Sequence, residues 1–310
     1  MAETLQTGLV RAPQLVRAAQ VAREAEVRQS ANGVRFATYG ETGVAAPDLD
    51  RMLEAVPAAI VAALKANTYY FVPLALREHA DTFEQATTSA KPVNIVPEHA
   101  MVAGAYTDEF SDAAICHRNV ELGSGNHGVF ISTRLMGDRF ALSFEFFINV
   151  AHAFVDQAGV PEAFATLAWQ QALSNVRGET SQDAWESRNL AMGRPANAEP
   201  EAASNPRRTR ALMSASSFAA ASRSRSFGAT ANSTPVVDEK ERALFVESAF
   251  SDAVAIYLLS LALDFDYSEL REREYPLLAP AALAARLKLV AELFPPNAEY
   301  EFAVKYRRRA

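Results

Sequence analysis

Hydrophobic and polar positions in the first part of the chain follow the spacings of strands and amphipathic helices. Residues 34–39 alternate between apolar and polar side chains, which predicts a strand. Leu49 and Met52 then recur at helical spacing, and residues 68–76 are rich in aromatic and β-branched side chains, as in a second strand. Pro73 favours an edge strand or a bulge there, because proline cannot donate to a strand ladder. This part is therefore predicted as strand, helix, strand.

Farther along the chain, short strand patterns are followed by long apolar helical segments. The remaining strands are predicted at residues 93–96, 101–106, 114–121 and 128–133. The main helices are predicted at residues 139–160, 161–177, 238–263 and 280–293. Helices with this much apolar surface must pack against a sheet or against each other. The pattern predicts an α+β fold in which a small mixed sheet packs on long apolar helices.

Two segments differ from this pattern. Residues 1–30 are predicted as an N-terminal helical extension, because the helix expected over 11–29 has only a thin apolar face. Residues 191–235 are rich in Ser, Ala and Arg and contain few large apolar side chains, which is typical of a disordered insertion. The rest of the chain, residues 31–190 and 236–310, is predicted to form one α+β domain.

Composition and charge narrow the class of protein. The 310 residues are 49% hydrophobic and 22% charged, which is ordinary for a globular protein, and a net charge of −7 argues against a nucleic-acid partner. Cys116 is the single cysteine, so no intrachain disulfide can form and an oxidising compartment is not implied. The longest apolar stretch, residues 253–263, is shorter than the ~20 residues that span a bilayer. We therefore expect a cytoplasmic protein without a membrane partner.

A row of polar side chains interrupts the most apolar of the predicted helices. Within residues 139–160, Glu145, Asn149, His152 and Asp156 are spaced four, three and four residues apart. At about 100° per residue these four side chains project from one narrow face of the helix. We call them the polar stripe.

Two interpretations of the polar stripe are open. It can be the solvent-facing edge of the helix or a satisfied polar network at the boundary of the core. Alternatively, it lines a cleft, where a histidine flanked by carboxylates can bind a metal ion or move a proton. The stripe is narrower than the usual solvated face of a helix, which is the main reason to keep the cleft as an alternative.

The same helix and a later one carry a recognisable arrangement. A strand at residues 128–133 leads into the helix, whose segment 148–152 has the sequence Ile-Asn-Val-Ala-His, and a second apolar helix downstream carries Glu247. This arrangement resembles the zincin-type metallopeptidases, in which a His-Glu-x-x-His helix and a later glutamate hold zinc. The strand–helix–strand opening, with its edge strand beside the site helix, is also similar to that fold. The resemblance covers residues 34–160 and 236–265.

The resemblance assigns roles to four positions. It implies that His152 is the second histidine ligand and Glu247 the third ligand of a zinc ion. Ile148 occupies the position of the first histidine and Asn149 that of the catalytic glutamate. An aliphatic side chain cannot donate to zinc, and an amide cannot accept a proton from water at neutral pH. The departures therefore argue against zincin-type catalysis.

Three functional hypotheses follow. We expect a non-catalytic zincin-like protein that binds another macromolecule, a protein partner, through its N-terminal helix or through a cleft lined by the polar stripe and Glu247. The first alternative is a metal-dependent peptidase or other hydrolase, in which zinc is held by rearranged ligands drawn from His117, His127, His152 and Glu247. The second is a structural subunit of a larger assembly, so that an oligomer is possible.

Overall fold

The computed structural model describes most of the chain. The described residues are 15–77, 100–111, 116–134, 139–196, 198, 237–264, 266–267 and 275–304. The strand predicted at 93–96 and nearly all of the insertion predicted at 191–235 lie outside them. The described part combines helices and sheets, which confirms the α+β class.

The chain divides into two compact units. Unit 1 comprises residues 1–159, 251–267 and 287–307, and unit 2 comprises 160–250, 268–286 and 308–310. The strands of unit 1 are β1 (Leu15–Arg17), β2 (Arg28–Gln29), β3 (Arg35–Thr38), β4 (Asn67–Val72), β5 (Leu74–Arg77), β6 (Ala100–Ala103), β7 (His117–Glu121) and β8 (His127–Ser132). Its helices are α1 (Ala18–Glu24), α2 (Ala46–Glu54), α3 (Ala58–Ala63), α4 (Asp108–Ser111) and α5 (Arg139–Ala158). The later helices are α6 (Glu162–Leu173), α7 (Gln182–Ala191), α8 (Glu239–Ala262) and α9 (Pro280–Leu293).

Five strands form the larger sheet of unit 1, in the order β2-β3-β4-β8-β7. The three central strands β3, β4 and β8 are parallel, and β2 and β7 flank them in antiparallel orientation. Tyr70 of β4 lies opposite Phe130 of β8, and their rings stack with centroids 4.5 Å apart. On the other face, Tyr69 and Phe71 of β4 both contact Phe146 of α5. The sheet is therefore anchored on α5 through one face.

A second, three-stranded sheet has the order β1-β6-β5 and is antiparallel. The chain passes from the larger sheet into this one at Pro73, between β4 and β5. Pro73 was predicted to mark an edge strand or a bulge within residues 68–76. Two strands form there, the central strand β4 before the proline and the edge strand β5 after it. Proline, which has no N–H, is accommodated at this break between two ladders.

The N-terminal segment differs from the predicted helix over 11–29. In its described part, helix α1 covers only seven residues, with β1 before it and β2 after it. Val16, Ala18 and Val21 are buried in the same cluster as Tyr70 and Phe130. A thin apolar face is sufficient here because it is made of small residues that pack closely on a sheet.

Aspartates lie at the N-termini of two helices. The N-cap of α2 is Ala45, which supplies no side-chain hydrogen bond, and Asp48 lies in the first turn. Asp238 caps α8 by accepting from the backbone N–H groups of Lys240 and Glu241 at 3.0 and 3.2 Å. Both aspartates are favourable near a helix N-terminus because of the helix dipole.

Aromatic side chains of α6 and α8 pack together in unit 2. Phe164 and Trp169 of α6 pack against Phe250 and Phe245 of α8, with ring centroids 4.8 and 6.2 Å apart. Helix α7 was not predicted from the sequence, although Ser181 caps it by accepting from the backbone N–H of Ala184 at 3.2 Å.

Helix α8 is longer than the apolar stretch at residues 253–263 that was compared with the length of a membrane span. In the described part of the chain, it is the one helix that is long and apolar enough to cross a membrane by length and composition, with 72% of its most apolar window buried. The stretch at residues 253–263 overlaps only the last part of this helix. Burial of most of this surface is the behaviour of a core helix and is compatible with a soluble protein.

Candidate functional site

The polar stripe runs from the interior of unit 1 to its surface. Asn149 is buried, with 2% of its surface exposed, while Glu145 and His152 are half-buried and Asp156 is exposed. The Asn149 amide donates to the backbone oxygen of Glu145 at 2.7 Å and to its carboxylate Oε1 at 3.0 Å. Asn149 Oδ1 is buried and has no hydrogen-bond partner in the described part of the structure.

Strand β7 and the residue before it face the stripe. The Cys116 thiol lies close enough to Glu145 and Asn149 for both side chains to shift its pKa. Farther along β7, the Asn119 side chain lies beside the Asp156 carboxylate. Glu145 and Asn149 therefore face the start of the β7 segment.

The environment of the stripe shifts the pKa values of three of these groups. Burial, and next the negative charge of Glu145, raise the pKa of the Cys116 thiol. Burial lowers the pKa of His152 to about 4, with the positive charge of Arg118 acting in the same direction. Burial raises the pKa of Asp156, which the Asn119 hydrogen bond and Arg118 partly offset. At neutral pH the thiol is thus protonated and unreactive, and the imidazole is neutral.

The remaining predicted zinc ligands belong to three different elements. His117 begins β7, but its side chain is outside the description; His127 begins β8 and is half-buried, with Nδ1 buried and without a hydrogen-bond partner among the described residues. Glu247 belongs to unit 2, and its side chain is exposed. In the described residues, no three His, Cys, Asp or Glu side chains are grouped so as to hold a metal ion.

The side chains of α5 do not fit a zinc ion of the zincin kind. Ile148 has no donor atom, and the amide of Asn149 is already committed to Glu145. A site with rearranged ligands drawn from His117, His127, His152 and Glu247 stays a prediction.

A cleft lies elsewhere in unit 1, at the carboxyl ends of the parallel strands β3, β4 and β8. Its volume is about 610 Å³. The lining residues are Thr42, Gly43, Val44, Ala45, Asp48, Met52, Tyr106, Thr133, Arg134, Arg139, Leu142 and Ser143. The walls are thus the loop after β3, helix α2, the residues after β8 and the first turns of α5. Ligands of open α/β sheets bind at this edge of the strands.

Hydrogen bonds hold the walls of the cleft together. Thr133 Oγ1 lies 2.8 Å from the backbone oxygen of Thr42 and 3.1 Å from that of Val72, and donates its proton to one of them. The N–H of Glu41 donates to Gly104 O at 2.9 Å. The loop after β3 is therefore fixed both to the end of β8 and to the residue after β6.

Two arginines and one aspartate supply the charge of the cleft. Arg139 Nη1 lies 3.2 Å from Asp48 Oδ1, and both side chains are about half exposed. The guanidinium of Arg134 makes no hydrogen bond or ion pair to any other described residue. Ser143 is only 3% exposed, and its hydroxyl has no partner in the described part either. The described lining therefore has a net positive charge, and Arg134 and Ser143 have no side-chain partner among the described residues, although the chain as a whole is acidic.

Sequence reasoning missed this cleft. Gly40 and Gly43, in the loop after β3, both have the positive φ of a tight turn, +69° and +70°. Arg134 and Arg139 lie between a predicted strand and a predicted helix, which is where ligand-binding residues of α/β sheets occur. That signal could be used only after β3, β4 and β8 were known to be parallel neighbours.

Comparison with protein-family models, with curated proteins and with solved structures finds no match for this chain.

Proposed function

We propose that this protein is a non-catalytic binding protein with a zincin-like core, and that its ligand binds in the cleft at the carboxyl ends of β3, β4 and β8. The observation that carries the proposal is the cleft itself, with a volume of about 610 Å³ and a mixed polar and apolar lining. Ligand sites of proteins have this size and this composition.

The arrangement around α5 supports the zincin-like core. Strand β8 is followed by α5, and β7 is the antiparallel outer strand next to β8. The polar stripe of α5 faces the segment that contains Cys116 and Asn119. An outer strand beside the site helix is a secondary feature of the resemblance, which depends first on the α5 segment 148–152 and on Glu247.

The chemistry of two positions supports a non-catalytic role. Ile148 and Asn149 replace the histidine and the glutamate that the resemblance requires for binding zinc and activating water. Asn149 is buried and holds Glu145 by two hydrogen bonds from its amide. Its role is thus structural, because a buried amide that is already bonded can neither accept a proton from water nor reach a substrate.

The pre-formed walls support ligand binding. Thr133 ties the loop after β3 to the end of β8, so little ordering of the backbone is needed when a ligand enters. Met52 and Leu142 provide apolar surface, and Ser143 provides a hydroxyl without a partner among the described residues.

A fragment screen with matched plugging variants tests this proposal. Ala45 lines the cleft at the N-cap of α2, and its neighbour Ala46 is exposed but does not line it. Fragments that bind the wild type in ligand-observed NMR should lose their signal in Ala45→Trp and keep it in Ala46→Trp. The proposal fails if no fragment binds, or if Ala45→Trp retains the hits of the wild type.

The other hypotheses from the sequence remain open to experiment. A protein partner, a place in a larger assembly and a zinc-dependent hydrolase each stay a prediction. Elemental analysis addresses the last one. Stoichiometric zinc in the purified protein that is lost in His152→Ala would support the hydrolase and contradict the non-catalytic proposal.

A further inference from the structure

We infer that the cleft takes a small organic anion, whose carboxylate or phosphoryl group binds the Arg134 guanidinium and whose short apolar body packs on Met52 and Leu142. This inference rests on the proposed function and specifies the ligand class of the same site. Both kinds of anionic head share the chemistry that a planar guanidinium recognises, namely two oxygens that accept parallel N–H bonds.

Arg134 is positioned for this role by the backbone. It follows the end of β8, and its N–H donates to Pro73 O at 3.2 Å. Its side chain extends to the loop after β3, where a Cβ on Gly43 would collide with Nη1 and would lie 3.3 Å from Cδ. Because β4 lies between β3 and β8, the guanidinium crosses the end of the central strand. It is held over the cleft without a partner among the described residues.

The second arginine of the cleft is neutralised, which singles out Arg134. Arg139 pairs with Asp48 at 3.2 Å, and this pair closes one side of the cleft between α5 and α2. Among the described lining residues, the charge that remains is that of Arg134. An anion bound there pairs with a guanidinium that has no partner in the described part of the chain, whereas a cationic ligand would meet the same charge unfavourably.

One further group favours a negatively charged head. Ser143 lines the cleft and adds a hydroxyl that can donate to an anion. The N-terminus of α2 adds little, because Asp48 lies in its first turn and the N–H of Asp48 already donates to Ala45 O at 3.1 Å.

The apolar part of the lining limits what the ligand can be. Val44, Met52 and Leu142 share the cleft with the polar groups. A bare inorganic anion would leave this surface in water, and a long chain would exceed the space of about 610 Å³. A compact organic anion can contact both the polar groups and the apolar side chains of the lining.

Calorimetric titration of the full chain with three probes tests the inference. Hexanoate and hexyl phosphate carry the two anionic heads on the same short chain, and hexanol is the neutral control. We expect both anions to bind and hexanol not to, with affinity that falls as the salt concentration rises. In Arg134→Gln the affinity should fall about 10- to 100-fold, since a charge-assisted hydrogen bond is lost. Arg51 is an exposed residue of α2 that does not line the cleft, so Arg51→Gln should bind both anions with the affinity of the wild type.

The outcomes separate this inference from the proposed function. Binding of only one of the two anions, lost in Arg134→Gln, supports the inference and identifies the head group. If hexanol binds as tightly as hexanoate, the anionic ligand class is overturned. If, in addition, only Ala45→Trp loses this binding, the cleft is still the binding site. Arg134→Gln binding both anions with unchanged affinity also overturns it.

Discussion

Glu179 and Arg286 form an ion pair that is completely removed from solvent. Arg286 Nη1 lies 2.9 Å from Glu179 Oε2, and neither side chain is exposed. Arg188 Nη1 donates to the other carboxylate oxygen at 3.0 Å. Gln171 accepts from Arg286 Nε at 2.8 Å. One carboxylate thus compensates two buried guanidinium groups and connects the residues before α7 with α9.

Glu179→Gln should therefore destabilise unit 2 strongly. Removing one charge leaves two buried arginines without their anion, which costs about 3–5 kcal/mol. The free energy of unfolding from urea denaturation measures the loss. Glu186→Gln, at a half-buried glutamate of α7 that accepts from Gln182, should cost less than about 0.5 kcal/mol. Equal effects of the two substitutions would contradict a special role for the buried cluster.

His152 should make stability depend on pH. Burial lowers the pKa of the folded imidazole to about 4, below the ordinary value of 6.5, so the unfolded chain binds the proton more readily. This contribution is fully present above pH 6.5 and is lost as the pH falls through 6.5 toward 4. It amounts to about 2–3 kcal/mol, allowing for residual solvent contact.

The variant His152→Gln isolates this effect, because glutamine does not titrate. Urea denaturation at a series of pH values should show a smaller decline between pH 6.5 and 4 in the variant than in the wild type. Parallel pH profiles would mean that the imidazole of His152 is protonated as easily in the folded protein as in the unfolded chain.

The Cys116 thiol should react slowly in the folded protein. Burial and the Glu145 carboxylate both raise its pKa, and the thiolate is the form that reacts with iodoacetamide. Glu145→Gln removes the negative charge and should speed alkylation several-fold. Glu121→Gln, at an exposed glutamate of β7, should leave the rate unchanged. Rapid alkylation of the wild type would show that the stripe does not protect the thiol.

Alanine substitutions at Gly43 and Gly159 separate the effect of backbone strain from the effect of displacing Arg134. Both have φ of +70°, but a Cβ on Gly159 meets no atom, whereas one on Gly43 collides with Arg134 Nη1. Alanine at either position should cost about 1–2 kcal/mol of stability through the left-handed backbone. Only Gly43→Ala should also weaken hexanoate binding, because the flexible arginine must move. Calorimetric titration of the two variants measures the difference.

Local patterns were sufficient to predict several elements. Helix α9 begins at Pro280 and ends at Leu293 as expected, because proline favours a helix start and Leu283, Leu287 and Val290 recur at core spacing. The stripe was also correctly assigned to one helix, since its spacing depends only on helical geometry.

Long-range pairing accounts for what the sequence did not predict. Nothing in the local pattern indicates that Pro73 separates two sheets, because that depends on which strands pair. Glu179 is buried by Arg286, which lies 107 residues away in the sequence. Arg134 contributes to the cleft because β8 becomes the parallel neighbour of β4. The hydrophobic periodicity of one segment does not show which distant strand or charged residue that segment will pair with.

The most direct test of the binding proposal is the location of bound fragments in crystals soaked with the hits of the NMR screen. We predict density for the fragments within hydrogen-bond distance of Arg134 or Ser143, against the side chains of Met52 and Leu142. Fragments that occupy only other surfaces, such as the region of Arg118 and Asp156, and leave this cleft without density would contradict the account.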